Sequence, residues 1–265
     1  MYPLTDSTLV RDGKCLLLAM DHGLEHGPVD FEPVPETVDP AVVFDIATHD
    51  AVTGFAVQKG VAETYYPSYE DDVSLVAKLN GNSNLWDVEP YSPQTWTVEN
   101  AAAMGADAVG YTVYAGSNRE DEMFEEFRDA QEAARDHDLP VVMWSYPRGA
   151  GVEDDTADDV IAYATRIGLE LGADVTKVKY PGSQEAMEWA IDSAGNAKVI
   201  MSGGSKVDEL NFLRSVESFI GAGGAGLAVG RNVWQHENPE AMLDALEAVI
   251  FEGESAEDAA NYVTA

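Results

Sequence analysis

The run Val175-Thr176-Lys177-Val178-Lys179-Tyr180 is the part of this sequence with the sharpest chemical promise. Strand side chains alternate, so Val175, Lys177 and Lys179 share one face and Thr176, Val178 and Tyr180 the other. If the lysine face points into a buried sheet, both ammoniums enter a medium of low dielectric constant. Burial and a like-charged neighbour each lower a lysine pKa. A lysine that is neutral near pH 7 is a nucleophile toward a carbonyl carbon. The plain alternative is a pair of solvent-facing, ion-paired lysines on an edge strand.

Other residues gather around that idea. Asp21 ends an apolar run and is a natural partner for a lysine ammonium, or a cap for the next turn. Trp144, Tyr146 and Arg148 alternate at the end of another run, with Pro147 bending the chain between them. Tyr146 is a candidate general acid and base, its pKa expected to be lowered by nearby cations; otherwise it is a core aromatic. Two glycine turns, Ser202-Gly203-Gly204-Ser205 and Gly230-Arg231-Asn232, let backbone amides approach a phosphate. His22 to His26 reads HGLEH, which matches a metalloprotease pattern. The glycines and the proline that flank it argue against both histidines sharing a helical face. His22 and His26 are better read as phosphate-binding groups, and no dedicated metal cage is expected.

The scarce cations point the same way. The chain has 15 Lys and Arg against 48 Asp and Glu, a net charge of −33. Seven of the fifteen, Lys59, Lys78, Arg148, Lys177, Lys179, Lys206 and Arg231, fall at or just beyond the ends of apolar runs. Their placement predicts one basic pocket for an anionic small molecule in a repulsive background. Snorkelling of long cations for packing is the rival account. Nucleic acid is disfavoured as a partner, because a phosphate backbone requires a basic face.

Eight such runs position these residues. They start at Cys15, Gly54, Leu75, Ala108, Val141, Val175, Lys198 and Gly226, and each ends in a polar or glycine-rich turn. Near-continuous apolar runs suit parallel strands buried on both faces. Amphipathic helical patterns lie between most of them, several ending at glycine. DPAVVFDIATHD starts with an Asp cap and a first-turn proline at Asp39 and Pro40. LWDVEPYSPQTW is irregular. ESAEDAANYVTA is either an interface helix or a solvated tail. The alternation predicts an α/β fold, a (β/α)8 TIM barrel forming a single domain over residues 1–265. A doubly wound sheet would concentrate its polar residues at one switch point rather than on every strand end.

The rest of the composition sets bounds. At 45% hydrophobic residues, a charge this large does not imply disorder. It suits a protein folded in concentrated salt, where a Debye length near 3 Å at about 1 M screens self-repulsion; an acidic docking face for a basic partner is the other reading. No apolar run is long enough for a membrane helix, and the N-terminus lacks a signal-peptide pattern. One cysteine rules out a disulfide framework. A cytoplasmic location is expected.

Taken together, MDHGLEHGP, QKGVAE, KLNG, VGYTVYAGS, WSYPRG, KVKY, MSGG and AVGRNVWQ resemble the archaeal-type class I fructose-bisphosphate aldolases, the DhnA-type family. The likeness runs in order from about Lys14 to Gln235. It implies a (β/α)8 barrel, no metal or other cofactor, and reversible cleavage of fructose 1,6-bisphosphate to dihydroxyacetone phosphate and glyceraldehyde 3-phosphate. By resemblance Lys177 forms the Schiff base, Tyr146 moves protons, Asp21 assists imine chemistry and Trp144 shapes the pocket. Ser202, Gly203, Gly204, Gly230 and Arg231 are expected to hold one phosphate, and Arg148 and His26 the far one. Lys179 is an electrostatic helper. The family implies a homo-oligomer, commonly a decamer. Two alternatives stay open: a related synthase of 2-amino-3,7-dideoxy-D-threo-hept-6-ulosonate or another lyase or transferase of the superfamily, and a non-catalytic sugar-phosphate-binding barrel.

Overall fold

Successive side chains on each run alternate between two apolar environments. The computed structural model describes Leu4, residues 7–85 and residues 88–264. Eight strands form a closed parallel barrel in chain order: β1 (Cys15–Ala19), β2 (Gly54–Gln58), β3 (Leu75–Lys78), β4 (Ala108–Val113), β5 (Val141–Ser145), β6 (Val175–Val178), β7 (Lys198–Ser202) and β8 (Gly226–Val229). The barrel closes by parallel pairing of β1 with β8, Leu17 against Ala228.

Cys15, Leu17, Ala56, Val76, Val142, Val175, Ile200 and Ala228 fill the barrel interior. Their neighbours, such as Leu16, Phe55, Val109, Met143 and Val178, join the larger core between strands and helices. Such two-sided burial explains why the strand sequences are apolar almost throughout.

Eleven α-helices are assigned among the described residues: α1 (His22–Glu25), α2 (Pro40–Ala47), α3 (Lys59–Tyr65), α4 (Val98–Ala103), α5 (Glu120–Asp136), α6 (Asp158–Glu170), α7 (Gln184–Ser193), α8 (Glu209–Gly221), α9 (Arg231–Trp234), α10 (Pro239–Glu247) and α11 (Ala256–Thr264). Five of these helices begin on a side-chain cap, the first of them at the Asp39 that the sequence names. Asp39 accepts from the Ala41 amide ahead of Pro40, and Thr97, Ser183, Asp208 and Asn238 cap α4, α7, α8 and α10. Each such cap satisfies an amide that the helix leaves unpaired, worth about 1 kcal/mol.

The stretch from Leu85 to Trp96 carries no helix or strand among its described residues, Trp86 and Asp87 lying outside them. The C-terminal segment is settled in favour of a helix. It packs on α8 and α10 of its own barrel, with Ala256 and Ala259 buried.

Candidate active site

Lys177 sits on the inward face of β6, between Trp144 of β5 and Ile200 of β7 in register. Its side chain is only 5% exposed. The Nζ lies 5.1 Å from the centre of the Trp144 ring and 5.8 Å from that of Tyr146. Burial lowers the Lys177 pKa, against the opposing pull of Asp21 and Glu25. The direction matches the sequence expectation, but burial rather than a second lysine is its cause. Thr176 and Val178 point outward; the Thr176 side chain fills the space that Gly168 of α6 leaves open.

Lys177 opens into a cavity of about 520 Å³ at the carboxyl ends of the strands. Asp21, His22, His26, Trp144, Tyr146, Arg148, Lys179, Ser202, Gly203, Gly204, Gly230 and Arg231 all line it. The structure therefore brings together every site residue named from the sequence. It does not gather all seven cations. Lys59 pairs with Glu63 on α3, and Lys206 donates to the Gln235 carbonyl; neither lines the cavity. Lys179 reaches the cavity but is ion-paired with Asp155.

Trp144 owes its position to a glycine. A Cβ on Gly110 of β4 would stand 2.4 Å from Trp144 Cζ3. Two residues on, Tyr146 donates its hydroxyl proton to Ser202 Oγ at 3.1 Å, joining the end of β5 to the end of β7. Its pKa is raised, contrary to the expectation from nearby cations. Burial is the main cause, Asp21 and Glu25 add to it, and Arg148 and the Ser202 hydrogen bond only partly oppose it. Tyr146 is thus a protonated phenol at neutral pH, poised first as a donor.

Asp21 follows β1 and is buried. Burial pushes its pKa up, but His22, Lys78, Lys177 and its own backbone amide outweigh that and leave it low. It stays a carboxylate. Glu25, one turn on, behaves in the opposite way: burial and the Asp21 charge raise its pKa. Sequence reasoning missed Glu25 as a site residue, although its place four residues after Asp21 sets both on one face of a helical turn.

Lys78 was assigned to the pocket and instead lies beneath it, fully buried. Its Nζ donates to the Asn80 carbonyl at 2.8 Å and sits 3.6 Å from Glu25 Oε1. Asn80, in the KLNG motif, is itself fixed by Ser92, Thr112 and the Thr112 amide.

The two glycine turns form the other wall. A Cβ on Gly203 would lie 3.0 Å from Val229 Cα, and one on Gly230 2.8 Å from the Ala19 carbonyl. Gly204 has φ +65°. Asn232, read from the sequence only as part of its turn, ties the two turns together: its Nδ2 donates to the carbonyls of Gly203 and Ser205, and its Oδ1 accepts from Val207. Arg231 donates to the Gly204 carbonyl. His26 is drawn to the Arg231 side rather than grouped with Arg148: His26 Nδ1 lies 2.6 Å, and Arg231 3.6 Å, from the same Asp30 Oδ2. His22 packs edge-on to Trp234. Burial lowers its pKa to about 4, so it offers a neutral ring.

This arrangement can hold a phosphate on glycine turns and present a neutral amine to a carbonyl beside it. Known proteins resemble this chain over nearly its whole length. The chain is 66% identical over 259 residues to the class 1 fructose-bisphosphate aldolase of Halobacterium salinarum, covering 98% of each chain. It is 46% identical to that of Thermoproteus tenax, covering 92% of each. Among solved structures it is similar to an archaeal fructose-1,6-bisphosphate aldolase with its catalytic lysine covalently bound to the carbinolamine intermediate, at 45% identity and a TM-score of 0.86, covering 90% of this chain and 94% of that one. The model of the DeoC/LacD family of aldolases matches residues 15–236, the span that holds all eight strands and every lining residue of the cavity, and the chain belongs to that family.

Proposed function

We propose that this chain is a class I fructose-bisphosphate aldolase, cleaving fructose 1,6-bisphosphate reversibly to dihydroxyacetone phosphate and glyceraldehyde 3-phosphate. The observation that carries the reading is the buried Lys177 amine, with its lowered pKa, in one cavity with Trp144, Tyr146, Asp21 and two glycine turns. The names of the relatives support the same substrate.

In this reading neutral Lys177 attacks the C2 ketone, and loss of water leaves a protonated imine. The iminium draws electrons from the C3–C4 bond, and the C4 hydroxyl proton passes to the Tyr146 oxygen as the phenol hands its own proton to the enamine carbon, so that Tyr146 ends as the neutral phenol it began as. Asp21 remains ionised and steadies positive charge on nitrogen. The turns at Ser202–Gly204 and Gly230–Arg231 anchor one phosphate, with His22 and His26 beside Arg231. Arg148 serves the other phosphate, and Lys179, paired with Asp155, adds positive charge to the wall. Anchoring both ends holds the reacting bond in place, where binding energy lowers the barrier to reaction.

Borohydride reduction with dihydroxyacetone phosphate in concentrated salt tests this reading. A stable adduct on Lys177, absent in Lys177→Met, is expected. An adduct that persists in that variant sinks the assignment.

The reading extends to a single-domain, cytoplasmic, homo-oligomeric protein, the decamer being the assembly that the resemblance implies. Among the described residues no helix is long and apolar enough to cross a membrane. Tyr163 and Trp189, 70% and 51% exposed, line a groove between α6 and α7 that suits burial against another copy.

A further inference from the structure

A carboxylate kept close to a phosphate site repels the ligand, so its presence there needs a reason. Asp30 is such a carboxylate. Its Oδ2 lies 2.6 Å from His26 Nδ1 and 3.6 Å from a terminal nitrogen of Arg231. Both of those residues line the cavity beside the glycine turns, and Asp30 itself does not. We propose that Asp30 is a positioning residue that holds His26 and Arg231 as one clamp for the phosphate on the glycine turns. The proposal rests on the aldolase reading above and deepens its phosphate site.

The fold fixes Asp30 firmly enough for that role. It lies in the short 3₁₀ turn Pro28–Phe31, which follows α1, whereas Arg231 opens α9 after β8. These segments are distant in the chain but adjacent in space, because β1 and β8 are neighbours in the barrel. Phe31 and Trp234, both buried, pack them together with ring centres 5.5 Å apart. Gln235 Nε2 donates to the Asp30 carbonyl at 2.6 Å. Lys206 Nζ donates in turn to the Gln235 carbonyl, so this cation outside the cavity braces the wall from behind. Only 14% of the Asp30 side chain is exposed, which leaves little water to compete with its two partners.

Each partner keeps donors for an anion. In its charged form the His26 ring gives the Nδ1 proton to Asp30 and retains the Nε2 proton for a phosphate oxygen. Arg231 gives one N–H to the Gly204 carbonyl at 3.2 Å and keeps another nitrogen near Asp30. Its Nε is a buried donor with no partner among the described residues. A long cation loses rotamer freedom when it clasps a ligand. A carboxylate behind it moves that loss from binding to folding, so the phosphate meets donors already in place.

Two effects of Asp30 on the ligand therefore have opposite signs. Its negative charge repels a phosphate, and removing it strengthens binding. Its hold on His26 and Arg231 orders the clamp, and removing it weakens binding. The sign of the change in phosphate affinity tells which effect rules, and a ketone without phosphate separates both from damage to the fold.

The experiment is borohydride trapping on Lys177 in concentrated salt, with dihydroxyacetone phosphate and with dihydroxyacetone, which lacks the ester. Wild type is compared with Asp30→Ala, Asp30→Asn, His26→Ala and the double variant of His26→Ala with Asp30→Ala. Asp30→Ala is expected to raise the half-saturating concentration of dihydroxyacetone phosphate by about 10- to 100-fold, the range for a hydrogen bond to a charged group. Trapping by dihydroxyacetone should be unchanged. Asp30→Asn, whose amide oxygen still accepts from His26 but carries no charge, should show part of the loss; it has the same shape and carries the comparison if the Ala variant does not fold. The double variant should lose less than the product of the single losses, because Asp30 acts through His26. Tighter binding of the phosphate ester in the Asp30 variants overturns the proposal, as does an equal loss with both ketones or single losses that multiply. Wild-type protein that traps neither ketone overturns the aldolase reading instead. Calorimetry of inorganic phosphate binding to wild type and Asp30→Asn then reads the clamp without chemistry at Lys177, and there too a tighter-binding variant overturns the proposal.

Discussion

Lys177 Nζ stands 5.1 Å from the centre of the Trp144 ring, and the two residues are register partners on neighbouring parallel strands. The ring can lie there because residue 110 has no side chain. Gly110→Ala puts a methyl 2.4 Å from Trp144 Cζ3 and 2.7 Å from Cη2, and the ring must move. The expected cost is about 1–3 kcal/mol in denaturant unfolding, typical of overpacking. A kcat that falls along with stability is expected, because the displaced ring sits against the nucleophile; an unchanged kcat would disconnect Trp144 from the chemistry.

Tyr146→Phe removes one hydroxyl and the hydrogen bond to Ser202. Imine trapping on Lys177 should survive, since the amine is untouched. Carbon–carbon cleavage should slow by about 10²- to 10⁴-fold, the usual cost of losing a general acid–base group. Steady-state cleavage and borohydride trapping, measured on one preparation, separate the two steps. Loss of trapping as well as cleavage would mean that Tyr146 acts earlier than proposed.

The glycine turns predict a graded pair. Gly204→Ala meets no atom within 4 Å but must hold φ +65°, a strain of about 1–2 kcal/mol. Gly230→Ala drives a methyl to 2.4 Å from His22 Cε1 and 2.8 Å from the Ala19 carbonyl. It should weaken inhibition by inorganic phosphate and lower the melting temperature more than Gly204→Ala. Equal effects from the two substitutions would contradict the close approach at Gly230.

His22 supplies a pH dependence of stability. Its pKa falls from 6.5 to about 4 on folding, chiefly through burial. Between those values the unfolded chain binds more protons than the native one, so stability is lost as pH drops through the window and is fully present above it. The shift corresponds to roughly 3 kcal/mol. His22→Gln should remove that part of the slope between pH 6.5 and 4 in denaturant titrations. A variant whose slope matches wild type would show that His22 is not buried as a neutral ring.

The net charge of −33 predicts salt-dependent stability. Self-repulsion weakens the compact state until salt screens it. Melting temperature and activity should both rise from low to molar KCl, and a melting temperature independent of salt would remove the halophilic reading.

Much of this protein was written locally. Two-sided burial makes a barrel strand apolar over four to six consecutive residues and stops it at a polar turn, so all eight strand starts could be read from Cys15 to Gly226. Asp39-Pro40 announced a helix start because capping depends on neighbours in sequence. Strand alternation likewise put Val175, Lys177 and Lys179 on one face, and closure of the barrel made that face the inward one.

What sequence could not decide was distance across the barrel. Lys59, Lys78 and Lys177 all sit near strand ends, yet one is at the surface, one lies under the cavity and one lines it. Glu25 looked like part of a histidine motif until folding set it against Lys78 of β3. Tyr146 seemed destined for a lowered pKa by its neighbours in the chain, and burial reversed the sign. Residue type and spacing determined which groups are available and which way each strand presents them. Closure of the sheet decided which of them meet and how dry their meeting place is, because desolvation and Coulomb interaction depend on separation in space, not along the chain.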